Sequence, residues 1–269
     1  CALSSGGAVM PILYPGTLPL GALIGKDDAP APVKPAPAPV AAKGPPAPVW
    51  FSTQAPESFD LQEDGRICGW HAVGDPGQRA EVMEFNKEGT PRDKIRGNLL
   101  FRAQSHGGLI IDGPLSQTPF SVGMLYTSDP KRDALSLFSL QATGDSEYSY
   151  MTAESGFLRF GHRDGEPVVS VVDPRKTVLM VFSYDGTMAR LAVNRVPAVS
   201  VGCVLPKSAL KLMLGCRGFS RPLYNKLGTF NLSDVMIWPG QDVLAGEFAR
   251  APDSALALWQ ERVRNGDQT

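Results

Sequence analysis

The sequence predicts an all-β fold, a sandwich or a barrel, from Trp50 onward. Short apolar or alternating runs recur there, and Gly, Pro, Asp and Asn residues separate them, as is typical of many strands joined by turns. The chain has 269 residues, 43% of them hydrophobic, which is enough to bury a sizeable core. The predicted strands lie within Gly97–Ala103, Gly107–Asp112, Phe120–Thr127, Ala134–Ala142, Tyr148–Glu154, Phe157–Arg163, Pro167–Asp173, Thr177–Asp185, Ala189–Val196, Leu210–Cys216 and Phe230–Trp238.

The first 49 residues differ in composition from the rest. Residues 1–28 are apolar but interrupted by prolines, which neither a helix nor a central strand tolerates. Residues 29–49 form a Pro/Ala-rich spacer of the kind that adopts extended polyproline II structure. We therefore expect an extended docking arm, a semi-rigid spacer and one domain over 50–269. The apolar arm residues expected to dock are Ile12, Leu13, Tyr14, Leu18, Leu20, Leu23 and Ile24.

Alternation along the later runs predicts strands with one buried face. Leu191 and Val193 alternate with Ala192 and Asn194, which is the period of two that a half-buried strand requires. A short C-terminal helix is predicted over Pro252–Gly266, capped at its start by Asp or Ser and ended by Asn-Gly. Its apolar face consists of Leu256, Trp259 and Val263.

Charge and hydropathy exclude two classes of partner. The formal net charge is -1 and no basic run reaches five residues, so we expect no nucleic-acid binding. No uninterrupted apolar stretch approaches the roughly 18 to 20 residues of a membrane span, so we expect none.

The four cysteines, Cys1, Cys68, Cys203 and Cys216, form no CxxC pair, which argues against zinc-ribbon and thioredoxin-like sites. Cys203 and Cys216 lie on neighbouring predicted strands and are candidates for a disulfide. The alternative is that both are small apolar strand residues. Cys1 followed by Ala fits the start of a lipidated bacterial lipoprotein, and the alternative is that further residues precede it.

Five segments resemble, in the same order, the strands of laminin-G-like and pentraxin-like domains. Thr177–Val199 resembles the paired strands written W-x-H-V-A-x-x-Y-D-G-x-x-x-x-L-Y-V-N-G. The other four segments are Pro119–Asp129, Ala134–Asp145, Leu210–Gly218 and Leu227–Phe248. The resemblance implies a concanavalin A-like jelly-roll sandwich of two antiparallel sheets. The chain departs from the family pattern at Asn194-Arg195, where the family has Asn-Gly, and lacks the Trp that begins the hairpin.

Two segments are candidates for binding a glycan, because aromatic side chains stack on sugar faces beside polar groups. The loop Cys216–Lys226 contains Arg217, Phe219, Arg221, Tyr224 and Asn225. The segment Gly144–Met151 places Tyr148 and Tyr150 on the same side of a strand. The alternative for this tyrosine pair is the sandwich core, which alternating aromatic residues also suit.

Calcium is a possible cofactor, because the resemblance implies a family in which it is common. Candidate ligands are the turn residues Asp112, Asp129 and Asp145, for which turn formation is the alternative role. Glycosidases of this fold carry carboxylates at even offsets on one strand. Here Asp164 and Glu166 keep such an offset, but only as an isolated pair in a Gly-flanked turn. We therefore expect a protein that is not an enzyme.

These observations favour a non-enzymatic attachment subunit of a large extracellular or virion assembly, such as a phage fibre, spike or decoration protein. Its arm would dock onto other subunits, and its sandwich would present a surface for a cell-surface glycan or a protein. One alternative is a bacterial cell-surface lipoprotein with a glycan-binding domain, anchored through Cys1. A second alternative is a polysaccharide hydrolase or lyase.

Overall fold

The computed structural model describes residues 46–86, 89–93, 97–105, 107–116, 118–129, 131–142, 144, 146–163, 165–174, 177–194, 196–206, 209–218 and 226–245. They belong to the unit Gly44–Thr269. The predicted docking arm with its seven apolar residues, most of the predicted spacer and the predicted C-terminal helix lie outside the described residues. No helix in the described part of the chain has the length and apolarity that crossing a membrane requires.

Sixteen strands account for most of the described residues, and two short 3₁₀ turns, Pro56–Ser58 and Ala103–Ser105, follow β1 and β5. The strands are β1 (Val49–Ser52), β2 (Phe59–Leu61), β3 (Ile67–Ala72), β4 (Asp75–Val82), β5 (Leu99–Phe101), β6 (Leu109–Leu115), β7 (Phe120–Thr127), β8 (Leu135–Ala142), β9 (Tyr148–Glu154), β10 (Phe157–His162), β11 (Pro167–Val172), β12 (Thr177–Tyr184), β13 (Met188–Val193), β14 (Val196–Gly202), β15 (Leu210–Leu214) and β16 (Phe230–Pro239).

The strands form two antiparallel sheets. The first has seven strands, in the order β1-β16-β7-β12-β13-β14, with β5 also paired to β16. The second has nine strands, in the order β11-β10-β9-β8-β15-β6-β4-β3-β2. The predicted two-sheet antiparallel jelly-roll sandwich is confirmed.

The interior between the sheets is apolar and rich in aromatic rings. Phe182 of β12 is fully buried, and its ring centroid lies 4.3 Å from that of Phe160 and 6.0 Å from that of Phe138. Trp70 of β3 is also fully buried and stacks on Phe59 at 5.7 Å. Side chains from both sheets therefore interdigitate in one core.

A second apolar cluster covers the outer face of the seven-stranded sheet. Its buried members are Leu125, Leu179, Val181, Met236, Trp238 and Val243. The segment after β16 is fixed on this face, because the Ser121 hydroxyl donates a hydrogen bond to the Gln241 carbonyl (2.8 Å) and accepts one from the Val243 N–H (3.0 Å). Strands β7 and β12 are thus covered on both faces, which explains why they are continuous apolar runs.

The turn between β12 and β13 is held by one carboxylate. Asp185 accepts hydrogen bonds from the backbone N–H groups of Thr187 and Met188 and from the Arg190 guanidinium, each at 2.8 Å. Gly186 completes the turn with a φ of 106°, which glycine adopts without strain. Burial raises the pKa of Asp185, but the hydrogen bonds outweigh this and hold the pKa well below its ordinary value.

The turn between β13 and β14 contains the departure from the family's Asn-Gly pattern. Asn194 has a φ of 53°, a left-handed conformation that Asn tolerates better than most residues. Its backbone N–H donates to the Leu179 carbonyl (2.7 Å), and its side-chain Oδ1 accepts from the Leu179 N–H (2.8 Å). The residue that follows, Arg195, lies outside the described part.

Cys68, Cys203 and Cys216 are free thiols, so the candidate disulfide between Cys203 and Cys216 does not form. Both are small buried residues, which was the alternative prediction. The Cys203 sulfur lies 3.9 Å from Nε2 of His162. Burial raises the pKa of Cys203 to about 11 and that of Cys216 to about 12. Cys1 lies outside the described residues.

Candidate functional site

The outer face of the nine-stranded sheet carries two tyrosines on β9. Met151, between them and the end of the strand, is fully buried in the core, as is Ala153. The period of two therefore directs Tyr148 and Tyr150 to the opposite, outer face, where both are half-buried. The alternative of a core role for this pair does not hold.

Two arginines lie against these rings. The Arg217 guanidinium is 4.0 Å from the ring centroid of Tyr150, and that of Arg163 is 5.8 Å from the centroid of Tyr148. The two tyrosine rings are themselves 5.9 Å apart, at an angle of 53°. We call the set Tyr148, Tyr150, Arg163 and Arg217 the tyrosine platform. Its rings and guanidinium groups are held together by cation–π attraction.

Hydrogen bonds fix both guanidinium groups. Nε of Arg217 donates to the Ser136 hydroxyl of β8 at 2.8 Å, and Nη1 of Arg163 donates to the Ser146 carbonyl at 3.0 Å. Both arginines are therefore anchored to backbone or strand atoms while they contact the rings. The platform is a pre-organised surface, and little side-chain entropy remains to be lost when a ligand binds.

Sequence reasoning missed Arg163 and Ser136. The sequence did contain a signal for Arg163, because the Ser155-Gly156 pair suits a two-residue hairpin turn. In the structure both residues of this turn have a positive φ (53° and 81°). Counting outward from this turn pairs Glu154 with Phe157 and finally brings Arg163 opposite Tyr148, whose carbonyl accepts the Arg163 N–H at 2.8 Å. For Ser136 no local signal existed, because its contact with Arg217 depends on long-range strand pairing.

The predicted loop Cys216–Lys226 begins at the platform. Gly218 has a φ of 78°, and a Cβ at this position would lie 3.7 Å from the Tyr148 ring. The Ser139 hydroxyl accepts the Gly218 N–H (3.4 Å) and donates to the Cys216 carbonyl (3.0 Å). The structure thus brings Arg217 next to the predicted tyrosine pair. The other predicted loop residues, which lie outside the described part, are Phe219, Arg221, Tyr224 and Asn225.

The three candidate calcium ligands do not meet in the described part of the chain. Asp112 forms an ion pair with Lys211 at 2.7 Å on the outer face of the nine-stranded sheet. Asp129 caps a turn by accepting the Lys131 N–H at 2.9 Å, and Asp145 lies outside the described residues. No group of three or more His, Cys, Asp or Glu side chains among the described residues is placed to hold a metal ion.

No protein-family model matches the chain, and no curated protein sequence matches it. Solved structures, by contrast, do match the chain. A mutant of Trypanosoma rangeli sialidase displaying trans-sialidase activity is similar with a TM-score of 0.52 at 14% identity, over 80% of this chain and 33% of that one. Domain 4 of AbnA, a GH43 extracellular arabinanase from Geobacillus stearothermophilus, in complex with arabinotriose, has a TM-score of 0.46 at 13% identity, over 71% and 91%. Domains LG4-5 of the mouse laminin alpha1 chain have a TM-score of 0.38 at 16% identity, over 50% and 40%.

These comparisons bear on the fold. The resemblance to laminin-G-like and concanavalin A-like domains is confirmed as a likeness of fold, because the chain forms a sandwich of two antiparallel sheets and matches the sialidase structure with a TM-score of 0.52. At 14% identity the sialidase match shows the fold alone, and this chain spans only 33% of the sialidase's length.

The prediction of a phage or virion attachment subunit is wrong. The solved structure that the chain matches with a TM-score of 0.52 is a sialidase mutant, and it is not a viral fibre, spike or decoration protein. Because this sialidase is an enzyme, the prediction of a non-enzymatic protein stands only as a proposal.

Proposed function

We propose that the sandwich is a carbohydrate-binding domain that contacts an oligosaccharide through the tyrosine platform and does not itself cleave it. One observation carries the proposal. Arg217 is stacked on the half-exposed Tyr150 and anchored to Ser136, so that aromatic and cationic groups are held together on an open sheet surface.

The chemistry of the platform suits a sugar. The C–H groups of a sugar face are attracted to the negatively polarised face of an aromatic ring, while the sugar's hydroxyl groups need donors and acceptors. Tyr148 and Tyr150 supply ring carbons and phenol hydroxyls, and the two guanidinium groups supply N–H donors. Tyrosine brings a large contact area with only two side-chain torsions, which limits the entropy lost on binding.

The second half of the proposal is binding without cleavage. Glycoside hydrolysis requires a carboxylic acid as proton donor and a second carboxylate as base or nucleophile. The four side chains of the platform are phenols and guanidinium groups, and none of them is a carboxylic acid. The proposal takes only the fold from the sialidase.

The experiment is a glycan array probed with the full-length chain, followed by calorimetric titration of the best oligosaccharide. Tyr150→Ala, Tyr148→Ala and Arg217→Gln should each weaken binding about three- to tenfold or more, the value of one stacked aromatic contact. Phe157→Ala is the matched control, because Phe157 is an exposed aromatic residue of β10 outside the platform. Equal losses in the control, or no bound glycan, would refute the proposal. Release of sugar from the bound oligosaccharide would refute its non-catalytic half.

A further inference from the structure

The strand register shows which residues surround the rings of the tyrosine platform. On β8, Gln141 lies opposite Tyr148, and Ser139 lies opposite Tyr150. On β10, Gly161 lies opposite Tyr150. None of these three neighbours carries a charge. The charge that a ligand meets at the rings therefore comes from side chains that reach them from further away.

Arginines supply this charge. The guanidinium groups of Arg163 and Arg217 lie against the two rings. A third arginine, Arg159 of β10, lies opposite Thr152, the position of β9 that follows Tyr150 on the outer face. Arginine carries its positive charge at any pH near neutrality. The outer face beside the tyrosines is therefore cationic.

The carboxylates nearest in sequence lie away from the rings. Glu154 ends β9 four residues after Tyr150, about 13 Å along a strand that rises about 3.3 Å per residue. Glu147 precedes β9 and has the parity of the buried Ser149, so the period of two directs its side chain to the other side of the strand. Glu166 precedes β11, which β10 separates from β9, a span of about 10 Å. In the described part of the chain, cations rather than carboxylates flank the rings.

Arg217 keeps two nitrogen atoms for a ligand. Its Nε donates to the Ser136 hydroxyl, whereas its Nη1 and Nη2 donate to no acceptor among the described residues. Within that part of the chain Arg217 also forms no ion pair, and its side chain is only half-buried. The face of its guanidinium lies against the Tyr150 ring. A planar guanidinium can stack on a ring with its face while its edge donates two parallel hydrogen bonds to one oxyanion.

We infer that the tyrosine platform selects acidic oligosaccharides, in which a sugar unit carries a carboxylate or a sulfate group. The inference rests on the proposed function, because it names the class of glycan that the same surface binds. Nη1 and Nη2 of Arg217 bind the oxyanion, and the rings of Tyr148 and Tyr150 contact the C–H face of the same sugar unit or the next one. The oxyanion thereby pairs a cation that has no carboxylate partner among the described residues.

Matched pairs of ligands isolate the contribution of the acidic group. We would titrate the full-length chain by calorimetry with trigalacturonate and its methyl ester, and with 3′-sulfated lactose and lactose. In at least one pair the acidic member should bind about tenfold or more tightly than the neutral one, the value of a bidentate charge-assisted contact. Equal affinities within both pairs would overturn the inference. A neutral glycan that binds and is lost with Tyr150→Ala would then leave the proposed function standing.

Variants assign the preference to one side chain. Arg217→Gln should remove the preference for the acidic member and change the affinity for the neutral member little. Arg217→Lys keeps the charge but loses the fork, and should retain only part of the preference. Arg159→Gln is the matched control, because it removes one positive charge from the same face outside the platform, and it should keep the preference. Equal losses in Arg159→Gln and Arg217→Gln would mean binding to diffuse positive charge, and would overturn the inference.

Discussion

The guanidinium of Arg217 lies 4.0 Å from the ring centroid of Tyr150, although the two residues belong to different segments of the chain. The contact joins the segment that follows β15 to β9 across β8, since β8 pairs with both strands. Two segments that the sequence analysis named separately as candidates for glycan binding, Gly144–Met151 and the start of Cys216–Lys226, therefore contribute to one surface. The stability of this contact can be measured without knowing the ligand.

We predict a coupling energy of about 0.5 to 2 kcal/mol between Arg217 and Tyr150, as expected for a cation–π pair that is partly desolvated. A double-mutant cycle with Arg217→Gln and Tyr150→Leu, followed by urea unfolding, measures it. The control pair is Arg159 and Phe157. The Arg159 guanidinium lies 5.1 Å from the centroid of the exposed Phe157 ring, so this pair should couple more weakly than Arg217 and Tyr150. A coupling near zero for Arg217 and Tyr150 would contradict the rigid platform.

Phe182→Ala should lower the free energy of unfolding by about 3 to 5 kcal/mol, because Phe182 is fully buried and its loss leaves a cavity between the sheets. Phe157→Ala removes the same number of atoms from a side chain that is 40% exposed, and should cost about 1 kcal/mol or less. Chemical denaturation of both variants gives the comparison. Similar losses would mean that the core is wrongly placed.

Asp185→Asn should change how stability depends on pH. The folded pKa of Asp185 is held below its unfolded value, so its ionised form stabilises the fold above about pH 4, and this contribution is lost as pH falls through the folded pKa. The difference in unfolding free energy between wild type and Asp185→Asn should be constant from pH 8 to pH 5. It should shrink as pH falls below about 4. A difference that does not change in acid would contradict the hydrogen-bonded turn.

The thiols should differ in reactivity. At pH 8 a thiol with a pKa of about 11 is ionised in only about one molecule in a thousand, and the thiolate is the nucleophile. Cys203 and Cys216 should therefore resist iodoacetamide in the folded protein, whereas the half-buried Cys68 should react before either of them. Peptide mass spectrometry after timed labelling measures this order. Unfolding in urea should bring Cys216 to the rate of Cys68, and rapid native labelling of Cys216 would contradict its burial.

Eleven of the sixteen strands, β5 to β13, β15 and β16, could be predicted because each has a local signal, whereas β1 to β4 and β14 were not predicted. Phe120–Thr127 matches β7 at both ends, and Ala134–Ala142 begins one residue before β8. Turn residues and apolar runs fix such segments without reference to the rest of the chain. The division into seven and nine strands has no local signal, because it depends on distant pairings such as that of β6 with β15.

Only part of the candidate site could be predicted, because local patterns do not reveal contacts between distant segments. A period of two places Tyr148 and Tyr150 on one face, but does not say whether that face is the core or the solvent side. The answer depends on Met151, which the second sheet covers. The contact between Arg217 and Ser136 also requires the irregular register between β8 and β9 near Ser136. No local sequence pattern predicts this irregularity.

The most direct test of carbohydrate binding by the platform is a titration of the tyrosine-labelled full-length chain with the best oligosaccharide from the array, followed by NMR. The chain has six tyrosines, and Tyr→Phe substitutions assign their ring signals. We predict that the ring signals of Tyr148 and Tyr150 shift in a saturable way, while that of the fully buried Tyr126 does not. Saturable shifts confined to other tyrosines, with Tyr148 and Tyr150 unchanged, would contradict it.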